Sequence, residues 1–128
     1  MFDDTTRELL ASKAYAAFTT VTPSDQLSTQ MMWVDADDSH ILINTEVERQ
    51  KFKNVRHDPR VAVMIFDPSN PYRYAEIRGR VVGTITGVEA REHIDKVSHK
   101  YTGGPYANPI SSERVILQIE PERSRSQG

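Results

Sequence analysis

Asn44-Thr45-Glu46-Val47-Glu48-Arg49-Gln50-Lys51-Phe52-Lys53-Asn54-Val55-Arg56-His57-Asp58-Pro59-Arg60 is the stretch that decides how this chain reads. It is followed by Val61 to Asp67 and then by Pro68-Ser69-Asn70-Pro71-Tyr72-Arg73-Tyr74-Ala75-Glu76-Ile77-Arg78-Gly79-Arg80-Val81. Ile41-Leu42-Ile43 ends at Asn44 as a strand would. Thr45 and Glu48 have the spacing of a helix capping box, which predicts a helix over Glu46–His57. Asp58-Pro59 stops that helix, because the residue before a proline disfavours helical dihedrals. Arg49, Lys51, Lys53 and Arg56 crowd the helix, three of them near its start. Free N–H groups at a helix N-terminus, joined by arginine and lysine, favour a phosphate or carboxylate ligand. The same charges also fit a solvated surface face.

Working outward, the elements alternate between strand and helix patterns. Asp4–Ser12 has the acidic start of a short helix. Ala14–Val21 and Gln26–Asp35 flank the turn residues Thr22-Pro23-Ser24-Asp25 and predict a hairpin. His40–Asn44 adds a third strand. In the central helix Glu48, Phe52 and Val55 share a stripe, so Phe52 and Val55 dock on the sheet. Val61–Phe66 is apolar at every position, which predicts a strand covered on both faces by a helix or a partner subunit. Ala75–Ile85 is a long strand in which Gly79 and Gly83 permit bending or close backbone approach. Thr86 with Glu89 opens a helix running to about Tyr101, whose stripe is Ala90, Ile94, Val97 and Tyr101. A loop rich in glycine and proline spans 102–112, and Arg114–Glu120 is the last strand. The expected architecture is mainly β: six antiparallel strands closed into a split barrel, with three flanking helices. One domain over 1–128 is expected, with an ordered core of about 4–121 and a polar tail.

Composition narrows the chemistry. A chain of 128 residues with a net charge of −2 is not built as a dedicated nucleic-acid binder. The absence of cysteine excludes disulfides and thiolate metal sites. No secretory or membrane-spanning run is visible, so a cytoplasmic location is expected. There is no Gly-rich phosphate loop and no nucleophile elbow. His40, His57, His93 and His99 lack metal-ligand spacing; the last two lie roughly 240° apart around a helix. Asp35, Asp37, Ser39 and Glu46 fall at the ligand positions of a calcium loop, but His40 stands where that loop needs glycine. No acid–base dyad can be picked from the scattered carboxylates, so a bound cofactor is expected to carry any chemistry.

The central stretch resembles the flavin-binding split-barrel superfamily typified by pyridoxamine 5′-phosphate oxidase. The likeness rests on Asn44-Thr45, on Arg49-x-Lys51-x-Lys53-Asn54-x-Arg56, and on Asp58-Pro59-Arg60-Val61-Ala62. Asp67-Pro68-x-x-Pro71-Tyr72-Arg73-Tyr74-x-Glu76-Ile77-Arg78-Gly79-Arg80-Val81 resembles the branch of PPOX-class F420-dependent oxidoreductases, and Tyr101-Thr102-Gly103 and Arg114–Leu117 suit it. The resemblance spans about Ala14 to Pro121. It implies a homodimer with cofactor sites at the subunit interface. Arg49 and Lys51, supported by Lys53 and Asn54, would hold the cofactor's phosphate end. Thr29, Gln30 and Met31 would lie along its ring system, Asn44 and Thr45 would flank its chain, and Tyr72 and Arg73 would reach in from the other subunit. Relatives often carry small residues at the start of the second strand, where this chain has Asp25, Gln26 and Gln30-Met31-Met32.

Three functions follow as alternatives. The first is reduction of a conjugated or unsaturated organic acceptor by hydride from coenzyme F420, whose phosphate and oligoglutamate tail suit a basic cluster. The second is an FMN-dependent oxidase or electron-transfer protein of the same fold. The third is a non-catalytic cofactor-binding protein. No catalytic residue and no metal ligand is assigned.

Overall fold

The computed structural model describes residues 2–128. Its elements in order are α1 (Asp4–Ala11), β1 (Tyr15–Val21), β2 (Leu27–Met32), β3 (Asp35–Ala36), β4 (Ile41–Glu46), α2 (Gln50–His57), β5 (Arg60–Asp67), β6 (Asn70–Ile85), α3 (Gly87–Thr102) and β7 (Arg114–Gln127). All seven strands form one antiparallel sheet in the order β2-β1-β5-β6-β7-β4-β3. The sheet curls into a half-barrel of split-barrel type, mainly β with three helices. The strand count is seven rather than six, because the expected second strand breaks at Trp33-Val34 into β2 and the short β3.

The curled inner face carries the core. Ala16 and Phe18 of β1, Val61, Val63 and Ile65 of β5, and Ile77 of β6 alternate inward with Ile41 and Ile43 of β4 and Val115, Leu117 and Ile119 of β7. Leu9 and Leu10 of α1 and Phe52 and Val55 of α2 close it. Period-2 alternation is what a strand packed on one face must show. β5 obeys it within one chain: Ala62, Met64 and Phe66 face outward, and Met64 is 41% exposed. The expectation of cover on both faces is therefore not met by this chain alone. α3 lies against the outer face of β4 and β7 through Ala90, Ile94 and Val97.

Three boundaries differ from the sequence-based expectation, each for a physical reason. α2 begins at Gln50 with Arg49 as its cap residue, and no side chain caps it. Thr45 is not a cap, because β4 continues through Glu46, which pairs with Arg114 of β7. Thr86 precedes α3 but makes no capping hydrogen bond. β7 runs on past Glu120 to Gln127, since β6 starts five residues early, at Asn70, and offers a ladder as far as Tyr74 opposite Gln127.

Two register shifts accommodate this long β6–β7 pair, between Arg78 and Gly79 and between Val81 and Gly83. Gly79 is required at the first: a Cβ there would stand 2.1 Å from the Glu120 carbonyl oxygen. The close approach expected of this glycine is present. Gly79→Ala forces backbone against backbone and is expected to destabilise the fold by about 1–3 kcal/mol or more, read as a lowered denaturation midpoint.

Candidate functional site

The outer face of β4 and β7 is polar where it meets α3, and one cation organises it. Arg114 is 7% exposed and Glu46 2%, and Arg114 Nη1 lies 3.3 Å from Glu46 Oε2. The other Glu46 oxygen accepts from Ser111 N–H (3.1 Å), Ser112 N–H (2.8 Å) and both serine hydroxyls (3.1 and 3.0 Å). Burial pushes the Glu46 carboxyl up, but these bonds outweigh it and hold it below its ordinary value. Arg114 Nε donates to Asn44 Oδ1 at 2.9 Å.

That contact fixes the next ones. Arginine only donates, so Asn44 Oδ1 accepts, and Asn44 Nδ2 donates to Ala90 O (3.0 Å) and to His93 Nδ1 (2.9 Å). His93 Nδ1 is then an acceptor, which leaves the proton on Nε2, 2.9 Å from Asp35 Oδ2. Lys96 adds its ammonium 3.7 Å from the same oxygen. Burial raises the Asp35 carboxyl, yet the His93 hydrogen bond, the Ala36 N–H and the nearby Lys96 bring it below the ordinary range. A continuous polar chain thus runs Glu46–Arg114–Asn44–His93–Asp35.

Above this chain opens a cavity of about 280 Å³. Trp33 and Tyr106 form one wall, meeting edge to face at 6.2 Å, and Met31 and Met32 stand at β2. Tyr101 backs the wall, stacked on Trp33 (5.0 Å, 5°) and on Tyr15 (6.0 Å, 19°). Its hydroxyl donates to Ala14 O at 2.5 Å and accepts from Val34 N–H at 3.1 Å. Burial pushes that phenol up to about 12, so it stays protonated. Lys100 donates to Leu10 O (3.1 Å) and Val34 O (2.6 Å), and its ammonium is destabilised by burial. Together Tyr101 and Lys100 staple α3 to the Trp33-Val34 break.

At the other end, the start of α2 is basic. The Lys51 ammonium is destabilised first by burial and then by the positive charges of Arg49 and Arg114. The first-turn N–H groups of α2 receive no side-chain acceptor. This donor set suits a phosphate or carboxylate group.

The residues singled out in the sequence divide accordingly. Met31 and Asn44 line the cavity. Arg49, exposed, and Lys51, half-buried, form the cationic cluster, with Lys53 exposed beyond it. Thr29 is exposed and hydrogen-bonds Thr19 at 2.8 Å; Gln30 is exposed opposite Phe18. Thr45 is 4% exposed and stands opposite Val115 of the core. Asn54 is 1% exposed and engaged, donating to Thr20 Oγ1 (3.0 Å) and accepting from Gln50 (2.8 Å), so it ties α2 to β1. Tyr72 is 76% exposed and Arg73 pairs with Glu8 at 2.5 Å; neither lines the cavity. Glu46, His93, Asp35 and Arg114 were not singled out as a group. Their link lies in β4–β7 register and helix packing, and only the Asn44-x-Glu46 alternation hinted at it.

Fold and site together define a half-barrel that pairs a cationic helix start with an aromatic cavity. Residues 2–128 match the pyridoxamine 5′-phosphate oxidase family, and the chain belongs to it. Among solved structures it is similar to an F420 reductase (30% identity, covering 94% of this chain and 96% of that one, TM-score 0.82). It is also similar to the conserved hypothetical protein Rv2991 of Mycobacterium tuberculosis (26% identity, 98% and 84% covered, TM-score 0.79). A putative pyridoxamine 5′-phosphate oxidase from Listeria innocua shares the fold (22% identity, 92% and 90% covered, TM-score 0.67). No curated protein matches the chain.

Glu46→Ala strips the buried guanidinium of its counter-charge and is expected to cost about 3–5 kcal/mol in chemical denaturation. The pH dependence has a definite sign. The folded Glu46 is held below its ordinary value of 4.5, so its contribution is present above that pH and is lost as pH falls through the lowered folded value. Acid titration of stability is expected to be less steep in Glu46→Gln than in the parent chain.

Proposed function

We propose that this protein is an F420-dependent reductase passing hydride to a conjugated or unsaturated organic acceptor. The observation that carries the reading is Arg114, which lines the aromatic cavity and whose charge is felt by Lys51 at the start of α2. One ligand with an anionic end and a planar ring would satisfy both. The likeness to an F420 reductase over nearly the full length of both chains supports the choice of deazaflavin over FMN.

In this reading the bound deazaflavin supplies a two-electron hydride donor. Arg49, Lys51 and the N-terminus of α2 hold its phosphate, and Lys53 draws in its acidic tail. Trp33, Tyr106 and Met31 cover the ring and exclude water from it. Asn44, locked between Arg114 and His93, presents a fixed amide edge to the cavity floor. Asp35, kept ionised, sets a negative end opposite the cationic one. None of these groups has to move a proton for a reaction that depends on holding donor and acceptor in contact.

The site is completed in a homodimer. Met31, Ala17 and Met64 form an outward row across β2, β1 and β5, aligned in register, and the two methionines are exposed. A second copy covers that row and brings Tyr72 and Arg73 towards its partner's cavity.

Two measurements test this. Calorimetric titration of the ligand-free protein is expected to show F420 binding in preference to FMN. Arg49→Ala/Lys51→Ala is expected to weaken F420 by about ten-fold or more. Tighter FMN binding, or no loss in the double variant, overturns the cofactor assignment. Sedimentation is expected to show a dimer that Met31→Glu/Met64→Glu dissociates; a monomeric parent chain overturns the dimeric site.

A further inference from the structure

One carboxylate outside the cavity holds part of its wall. Asp95 stands on α3 and is half-buried; its neighbours Ile94 and Val97 line the cavity, but Asp95 does not. Its two oxygens are divided between different partners. Oδ2 accepts from Arg91 Nη1 at 2.9 Å, one helical turn earlier. Oδ1 accepts from the backbone N–H of Tyr106 at 2.9 Å, 11 residues further along the chain. The Tyr106 N–H first and Arg91 second hold this carboxyl below its ordinary range, so the acceptor is ionised at neutral pH.

A solvated ion pair between residues four apart on a helix is worth little by itself. The bond to Tyr106 matters because of where it falls in the chain. α3 ends at Gly103, whose φ of +82° turns the backbone out of the helix and whose N–H bonds His99 O at 3.0 Å. The 102–112 segment then forms a strap pinned at two places. The far pin is Glu46, whose side chain is 2% exposed and which accepts from the N–H and hydroxyl groups of both Ser111 and Ser112. The near pin is the single bond from Tyr106 to Asp95, whose side chain is 35% exposed. Between the pins, Tyr106 and Asn108 line the cavity. The Tyr106 ring lies 5.1 Å from the Arg114 guanidinium carbon and 6.2 Å from Trp33, at the junction of the cationic and aromatic walls. A segment opens first where its bonds are fewest and most exposed, which here is the Tyr106 end.

We infer that Asp95 is a positioning residue for this cavity: by holding the Tyr106 backbone it keeps the Tyr106 ring against Arg114 and Trp33, and so sets how tightly a flat aromatic ring is retained there. The inference deepens the proposed function and rests on it for the cavity being a ring site. Asp95 touches no ligand. Release of its bond frees Tyr106 while Ser111 and Ser112 stay fixed, so a ring enters and leaves at the Tyr106 end of the strap.

Calorimetric titration with lumiflavin, a planar ring without phosphate or acidic tail, tests this in the ligand-free chain. A failed choice between F420 and FMN therefore leaves the test standing. Asp95→Ala is expected to weaken lumiflavin by about three-fold or more. It is also expected to speed exchange of the Tyr106 amide hydrogen, with Ser111 and Ser112 staying protected. Asp95→Asn keeps an acceptor oxygen and is expected to restore binding to within about two-fold of the parent chain. Arg91→Gln, which cuts the surface pair alone, is expected to leave binding level. Tyr106→Ala closes the cycle: in that background Asp95→Ala costs no further affinity, because the backbone bond then positions no ring. A general loss of stability would persist in both backgrounds. The inference is overturned by an Asp95→Ala effect of equal size without the Tyr106 ring, by parent-like binding in Asp95→Ala, or by a parent chain that binds no lumiflavin.

Discussion

A guanidinium group that only donates hydrogen bonds, buried between a sheet and a helix, is the constraint on which the rest of the site depends. Arg114 cannot be neutral and cannot accept a hydrogen bond. It therefore needs a carboxylate on one side, which Glu46 provides, and an oxygen on another, which Asn44 provides. Glu46 in turn gathers Ser111 and Ser112 and so fixes the end of the 102–112 loop. The orientation of the Asn44 amide follows, then the tautomer of His93, then the position of Asp35. Tyr106 closes the arrangement by laying its ring 5.1 Å from the same guanidinium carbon. Four elements and one loop are held in mutual position by the need to compensate one charge.

The resulting cavity is electrically lopsided. Arg114, with Lys51 and Arg49 behind it, makes one end positive, while Asp35 stands ionised within reach of the other. Between them the lining is aromatic and aliphatic: Trp33, Tyr106, Leu42, Ile94 and Val97. Such a space favours an elongated, flat molecule in one direction only. Orientation is thereby set by the fold rather than by any single recognition group.

Much of this was legible in the sequence and some was not, for identifiable reasons. Strands β1, β4 and β5 stood out by their β-branched, aromatic and continuously apolar runs, but the unbroken run of β5 suggested cover on both faces where the chain itself packs only one. The cations of the central helix were legible as charges near a helix start. Where α2 begins was not, because Thr45-x-x-Glu48 satisfies a local rule that the β4–β7 ladder overrides by drawing Glu46 into the sheet. The tether that Asn54 makes from α2 to β1 and the burial of Thr45 opposite Val115 were not legible, because both depend on partners distant in the chain. β7 beyond Glu120 looked like a tail because its residues are polar, and nothing local announces that β6 extends far enough to pair with them. The Asp35–His93–Asn44 link was invisible because it joins residues 58 and 49 positions apart.

Trp33 sits at the break between β2 and β3, sandwiched against Tyr101 and touched by the edge of Tyr106. It is also the only tryptophan in the chain. The indole therefore makes the cavity wall optically self-reporting. Tyr15, Tyr101 and Tyr106 lie close enough to pass their excitation to it, and whatever enters the cavity changes the surroundings of that single emitter. The protein carries its own gauge of occupancy, and a shift in emission with no change in fold would read the state of this cavity alone.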